Sequence, residues 1–232
     1  MGQHANQVGP KDTRVSQVDV IVFDLGGVLL DWDPREVYRR MSDDEEKIQK
    51  FLREVAVSSW NQRMDAGESF AQAVADRVRS FPEWKEWIEA WRFEWPTMLK
   101  GAKPDVLQVF QQLRKLRQVG RLKGIYALSN WSSETFPIAT SRFPFLAEFD
   151  GKLISGHEKL VKPQPEFYLR LCDRYALRPE QCLFIDDLSS NIEVARKLGF
   201  ATHWFRESEG LIRDLNALGL QVSLSSPSFS AR

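Results

Sequence analysis

The sequence predicts an α/β fold, a mainly parallel sheet with helices on both faces and a small helical subdomain inserted into it. Three observations predict this. Short, almost wholly apolar runs recur along the chain, as strands buried on both faces require. Stretches of helical spacing separate them, the rhythm of strand–helix–strand units. One long helical region follows the first strand and breaks that rhythm, so it reads as an insertion.

The first strand is Val18–Phe23, and it stops where Asp24-Leu25-Gly26-Gly27 interrupts the apolar run. From Pro34 to Trp95 the pattern is helical. Pro34 suits a first turn with Asp33 as its cap. Ser42 and Glu45 make a capping box for a helix running to about Val57. Further helices are expected from about Glu68 to Arg79 and from Pro82 to Trp95. After Gly101 the alternation resumes. Pro104–Gln118 reads as helix and Lys123–Leu128 as strand, ending at Ser129-Asn130. Ser133–Ser141 reads as helix, Phe149–Ile154 as strand and Pro165–Tyr175 as helix. Cys182–Ile185 is a strand ending at Asp186-Asp187. Ser190–Leu198 is a helix closed by Gly199, and Ala201–Phe205 is a last strand.

Composition narrows the function. The 232 residues carry 32 Lys+Arg and 32 Asp+Glu, so bulk charge gives no attraction to nucleic acid or to an anionic membrane. No apolar run approaches the ~20 residues of a membrane span. Two cysteines, Cys172 and Cys182, fit a reducing, cytoplasmic setting better than a disulfide framework. The segment before Val18 is polar and lacks a signal-peptide apolar stretch. It and the Ser-rich tail from Gln221 are expected to be disordered.

The polar residues fall at informative places. Asp24, Ser129-Asn130 and Asp186-Asp187 each end a different apolar strand. In a parallel sheet all strand C-termini share one edge, the usual ligand site of open α/β sheets. Lys162, in the loop before a helix, can reach the same edge. A lone Asp after a strand is ordinarily a turn former or a helix cap. The coincidence of three such strand ends argues for more. Three acids, one cation and small polar groups suit a hard divalent metal together with an anion, and Mg²⁺ favours carboxylates and phosphate oxygens.

Four segments, FDLGGVL (Phe23–Leu29), LSN (Leu128–Asn130), KPQPEFY (Lys162–Tyr168) and FIDDLSSNIEVARKLG (Phe184–Gly199), resemble the motifs of the haloacid dehalogenase-like superfamily. The resemblance spans Val18 to Phe205. It is nearest to the phosphatase branch of bacterial α-D-glucose-1-phosphate phosphatases and the N-terminal domain of epoxide hydrolases, and it includes Asp31-Trp32-Asp33. It implies a Rossmann-like core over 18–33 and 101–220. A helical cap insert would occupy 34–100, with the leader at 1–17 and the tail at 221–232. It also implies Mg²⁺-dependent hydrolysis of a small phosphorylated metabolite, with a sugar phosphate as one candidate. Asp24 would be the nucleophile. Asp24, the Gly26 carbonyl and Asp187 would hold Mg²⁺, with Asp186 acting through a water. Ser129 and Asn130 would donate to phosphoryl oxygens, and Lys162 would neutralise charge. In the cap, Trp60, Arg63 and Asp65, at the turn before Gly67, would face the core, and Trp131, directly after Asn130, would lie near the site. Trp84, Trp87, Trp91 and Trp95 read as a core stripe, with one or two able to line the pocket.

The chain departs from the superfamily's phosphatases at Gly26, where most have a second Asp that serves as acid and base. Proton donation to a leaving group is then expected to be poor. Anomeric, aryl or acyl phosphates would be favoured unless a water, Asp33 or Asp65 supplies the proton. Two alternatives follow. A haloacid dehalogenase also lacks the second Asp, but it carries serines where this chain has Asp186 and Asp187. A catalytically silent binding protein of the same fold would keep the scaffold only.

Overall fold

A computed structural model describes residues 18–224. Strand β1 (Val20–Phe23) leaves the sheet at Asp24. A tight loop follows, closed by Leu29 and Leu30 N–H donating to the Leu25 carbonyl and by Gly27 N–H donating to Leu30. Strand β2 (Leu30–Trp32) then leads into a run of helices: α1 (Arg35–Met41), α2 (Glu45–Lys50), α3 (Ser58–Asp65), α4 (Phe70–Ser80), α5 (Lys85–Phe93) and α6 (Trp95–Met98). Strand β3 (Leu99–Ala102) returns the chain to its point of departure by pairing antiparallel with β2. Asp33 N–H donates to Met98 and Lys103 N–H to Leu29, so both ends of the helical excursion are tied together. The chain continues through α7 (Pro104–Gln118), β4 (Gly124–Ser129), α8 (Phe136–Arg142), β5 (Gly151–Ile154), α9 (Ser155–Glu158) and α10 (Pro165–Tyr175). It finishes with β6 (Cys182–Asp186), α11 (Ser189–Lys197), β7 (Ala201–Trp204) and α12 (Ser208–Ala217).

The main sheet is five-stranded, in the order β5-β4-β1-β6-β7, and every pair is parallel. The predicted fold class is therefore the observed one. Central β1 is buried along its whole length, as its continuous apolar run requires. The apolar side chains alternate between two faces. Ile21 and Phe23 join one cluster, which runs without a break from α7 into the helical excursion. Val20 and Val22 join a second cluster with α10 and α11. Phe23, one residue before Asp24, is clamped on the first face by Phe110 and Phe149, with ring centroids 6.1 and 6.4 Å away. The excursion has an aromatic interior of its own, in which Tyr38 stacks on Trp87 at 5.1 Å and Trp60 packs on Trp91 at 5.3 Å.

Local expectations met several corrections. Asp44, not Ser42, caps α2: its carboxylate accepts from Lys47 N–H, while the Ser42 hydroxyl accepts from Asp44 N–H. The helix after it ends in a π-helical turn, Phe51–Val55. Trp60, Arg63 and Asp65 lie on a helix, α3, and not in a turn. The β2–β3 pair and α12 had no counterpart in the sequence reading. The expected leader, 1–17, lies outside the described residues. Of the tail, residues 221–224 are described and held: Val222 is buried and exchanges hydrogen bonds with the Asn216 amide, and Ser223 pairs with Gln112. Among the described residues no helix is long and apolar enough to cross a membrane.

Because Phe110 clamps the residue that carries Asp24, Phe110→Ala should cost about 3–5 kcal/mol of stability. Urea denaturation followed by circular dichroism measures this. A loss no larger than that of a surface substitution would contradict the clamp.

Candidate active site

The sheet order explains how the polar residues meet. β4 and β6 flank β1, with Phe23 level with Ala127 on one side and Ile185 on the other. Asp24, Ser129 and Asp186 therefore leave adjacent strands at the same edge. Ser129 Oγ donates to Asp24 Oδ1 at 2.7 Å, and Leu25 N–H donates to the same oxygen at 2.7 Å. Lys162 reaches in from the loop before α10. Its Nζ lies 3.0 Å from Asp24 Oδ1 and 2.7 Å from Asp186 Oδ2, and its side chain has no exposure. Asn130 holds that loop by its main chain: Asn130 Nδ2 donates to the Lys162 carbonyl at 2.9 Å, and Lys162 N–H donates to Asn130 Oδ1 at 2.8 Å. The expected donation of the Asn130 amide to a phosphoryl oxygen thus competes with a complete pairing to the Lys162 main chain.

Asp186 and Asp187 differ sharply. Asp186 is buried and its carboxylate is fully engaged, by Lys162, by Asn191 Nδ2 at 2.9 and 3.0 Å, and by Leu188 N–H at 2.8 Å. Asp187 is half-buried and faces the loop after β1. Gly27 makes that approach possible, since a Cβ there would stand 2.3 Å from Asp187 Oδ2, and its φ of +77° is one that glycine adopts freely. Carboxylate oxygens of Asp24, Asp186 and Asp187 lie within 4.8 Å of one another. Three carboxylates face a single ammonium, leaving a formal charge of −2 when all are ionised.

The electrostatics follow from that crowding. Burial, then the Asp186 and Asp187 charges, push the Asp24 carboxyl up to about 7 against the opposing pull of Lys162 and Ser129. Burial alone would lower the Lys162 ammonium, but Asp186 and Asp24 outweigh it and hold it above the ordinary lysine value. Burial and Asp186 raise Asp187 as well.

Above this floor lies a cavity of about 290 Å³. Its floor is Asp24, Gly26, Gly27, Asn130, Lys162, Asp187 and Asn191, and its walls are Trp32, Asn61, Asp65, Trp95, Trp131, Thr135 and Leu188. Of the expected pocket residues, Trp131 and Asp65 line it. Trp60 does not: it is buried, and its Nε1 donates to the Ala73 carbonyl. Arg63 does not either, because Glu68 and Asp76 hold its guanidinium at the surface. In the tryptophan stripe Trp87 and Trp91 are core, whereas Trp95 starts a new helix and turns to Trp131, 5.7 Å away. Trp32, Asn61, Thr135 and Leu188 were missed. Asn61 was legible in principle, four residues before Asp65 and so on the same helix face. Pro34, not Asp33, is the N-cap of α1; the Asp33 carboxylate accepts from Arg35 N–H at the helix start and lies outside the cavity wall.

Residues 18–199 match the model of the haloacid dehalogenase-like hydrolase family. Over 63 residues the chain is 38% identical to flavin mononucleotide hydrolase 1 of Arabidopsis thaliana, covering 27% of this chain and 26% of that one. The chain spans about a quarter or less of the length of the first curated relatives it matches. It is 25% identical over 200 residues to D-ribitol-5-phosphate phosphatase of Bacteroides thetaiotaomicron, covering 78% of this chain and 89% of that one. It is 24% identical over 202 residues to (S)-2-haloacid dehalogenase 4A of Burkholderia cepacia, covering 81% and 83%. Among solved structures, a HAD family enzyme of Bacteroides thetaiotaomicron in a magnesium complex superposes with a TM-score of 0.63 at 22% identity, covering 81% of this chain and 92% of that one.

The buried carboxylates set a pH dependence. Burial and neighbouring negative charge push the Asp24 and Asp65 carboxyls up to about 7 in the folded chain, against ~4 when unfolded. The folded state therefore binds more protons between those values, and the metal-free protein should lose stability as pH rises through that window. Asp24→Asn removes one of the crowded charges and should be more stable than wild type in EDTA at pH ~8, by about 1–3 kcal/mol. Thermal unfolding at pH 5 and 8 checks both. A less stable Asn variant at the higher pH would show that the crowding costs nothing.

Proposed function

The chain belongs to the haloacid dehalogenase-like hydrolases, and on that premise we propose that it is a Mg²⁺-dependent phosphatase of a small phosphorylated metabolite. The observation that carries this reading is the buried cluster of three carboxylates around one lysine. Its residual charge of −2 is what a divalent cation offsets, and the Asp187 carboxylate stands beside that of Asp24. The hard oxygen donors fit Mg²⁺. Asp24, the Gly26 carbonyl and Asp187 would hold it, and the saturated Asp186 would act through a water. When bound, Mg²⁺ supplies positive charge that eases the approach of a carboxylate to a phosphate dianion.

The chain's own groups do the rest. Asp24 attacks phosphorus and forms an aspartyl phosphate, which water then hydrolyses. Lys162, fixed between two carboxylates, lowers the charge on Asp24 and on the transferring group. Ser129 turns from Asp24 to a phosphoryl oxygen, and Asn130 positions Lys162 through its main chain. The helices of 34–100 act as a cap, and Trp95 of that cap excludes water together with Trp32 and Trp131. Indole walls and a volume of about 290 Å³ suit a compact leaving group with a flat or sugar-like face. The expected setting is the cytoplasm.

Dehalogenation is the second reading, favoured by the similarity to a haloacid dehalogenase. It leaves the Asp187 carboxylate and the surplus negative charge without a task. A panel of phosphorylated metabolites with Mg²⁺, run beside halide release from haloacids, separates the two. Phosphate release should need Mg²⁺ and vanish in Asp24→Asn. Thermal stabilisation by Mg²⁺ should be weakened more by Asp187→Ala than by Asp186→Ala. Full phosphatase activity in EDTA-treated protein would overturn the metal-dependent mechanism, and halide release without phosphate release would replace it.

A further inference from the structure

We propose that Asp65, carried on α3, gives the proton to the leaving oxygen and then takes one from the attacking water. The proposal rests on the phosphatase reading. An alkoxide is a poor leaving group, and a positioned acid is typically worth ~10²–10⁴-fold. The floor of the cavity offers none. Asp24 is the attacking group, Gly26 has no side chain, Asp187 is committed with Asp24 to the cation of the proposed function, and Asp186, behind the floor, is saturated by hydrogen bonds. Asp33 is spent on the start of α1.

In-line displacement places the leaving oxygen on the far side of phosphorus from Asp24, towards the walls that the helical excursion supplies. Asp65 is the acid in those walls. It is held from three directions. Asn61 Nδ2 donates to its Oδ2 at 2.8 Å, the Ser132 main-chain N–H donates to its carboxylate, and Ser155 Oγ donates to its own carbonyl at 2.6 Å. The charged groups that act on it are Asp24 and Lys162. Burial and the Asp24 charge push its carboxyl up to about 7, against Ser132 and Lys162, so the protonated form is present near neutrality.

The steps balance. Asp24 Oδ forms a bond to phosphorus as the bond from phosphorus to the leaving oxygen breaks. The leaving oxygen takes the Asp65 proton and departs as the alcohol, leaving Asp65 as carboxylate. Water then attacks phosphorus, the bond to Asp24 breaks, and Asp65 accepts the water's second proton. Phosphate leaves, and both acids return to their starting states. Of the three routes open at Gly26, a water, Asp33 or Asp65, this proposal selects Asp65.

The test is a series from dinitrophenyl through p-nitrophenyl and phenyl to a simple alkyl phosphate. Alcohol release is followed in single turnovers, so that phosphorylation is what is measured. Wild type should depend weakly on the leaving group's basicity. Asp65→Asn should lose ~10²–10⁴-fold on phenyl and alkyl phosphates and far less on dinitrophenyl phosphate. A second acid can be supplied at Gly26, where a Cβ would meet nothing within 4 Å. Gly26→Asp placed in the Asp65→Asn protein should restore the weak dependence. A steep dependence in wild type, which needs no variant to fold, overturns the proposal. So does a uniform loss across the series in Asp65→Asn. If wild type hydrolyses no member with Mg²⁺, the phosphatase reading falls first and this proposal with it.

Discussion

Lys162 is buried between Asp24 and Asp186, and the geometry of the site depends on that ammonium. A charge taken out of water is tolerated only when paired and hydrogen-bonded. Here two carboxylates from adjacent strands share one cation from a third segment. The parallel order β4-β1-β6 delivers Ser129, Asp24 and Asp186 to one edge side by side. The lysine cannot come from the sheet, so the Asn130 amide binds its main chain and brings the loop in. Asn191 and Leu188 occupy the remaining positions on Asp186. Only Asp187, one residue further, is left to face Asp24 across Gly27. The arrangement is locally expensive, because burial and the Asp186 charge raise the third carboxylate, Asp187, against the pull of Lys162 and Lys103. A site that stores repulsion when empty is one that gains by binding positive charge.

The legible parts of this site were those fixed by strand ends. A buried parallel strand writes itself as a continuous apolar run, and the residue that stops the run is visible. That placed Asp24, Ser129 and Asp186 together. The walls were less legible, because they depend on how helices pack. Trp84, Trp87, Trp91 and Trp95 share a helical spacing, but the helix breaks at Glu94 and Trp95 turns away from its neighbours. Trp60 and Arg63 stand in the same short helix as Asp65 and Asn61, yet point into the core and the surface. A 100° step per residue separates a core residue from a cavity residue only when the helix axis is known. The β2–β3 neck was invisible for another reason. Three or four residues are too few to show a period, and their pairing joins segments on either side of the whole excursion. At α2, Ser42 and Asp44 both offer a capping oxygen, and local sequence does not choose between them.

The neck has a consequence for how the two parts move. Tying Asp33 to Met98 and Leu29 to Lys103 makes a short double connection, stiffer than a single linker. The far end of the excursion is fastened more lightly to the core. There Ser155 Oγ meets the Asp65 carbonyl, Ser132 N–H meets the Asp65 carboxylate, and Phe70 N–H donates to Glu134 Oε1 at 2.8 Å. These are individual hydrogen bonds, each worth about 0.5–1.5 kcal/mol net. Opening at that end would release Asp65 from its support together with the cavity wall. Closure and placement of the acid would thus be one event. With the wall open, Asp65 would meet water and lose the burial that raises its carboxyl. Once the wall is shut, burial and the charge of Asp24 supply both the proton and the exclusion of water that makes it useful.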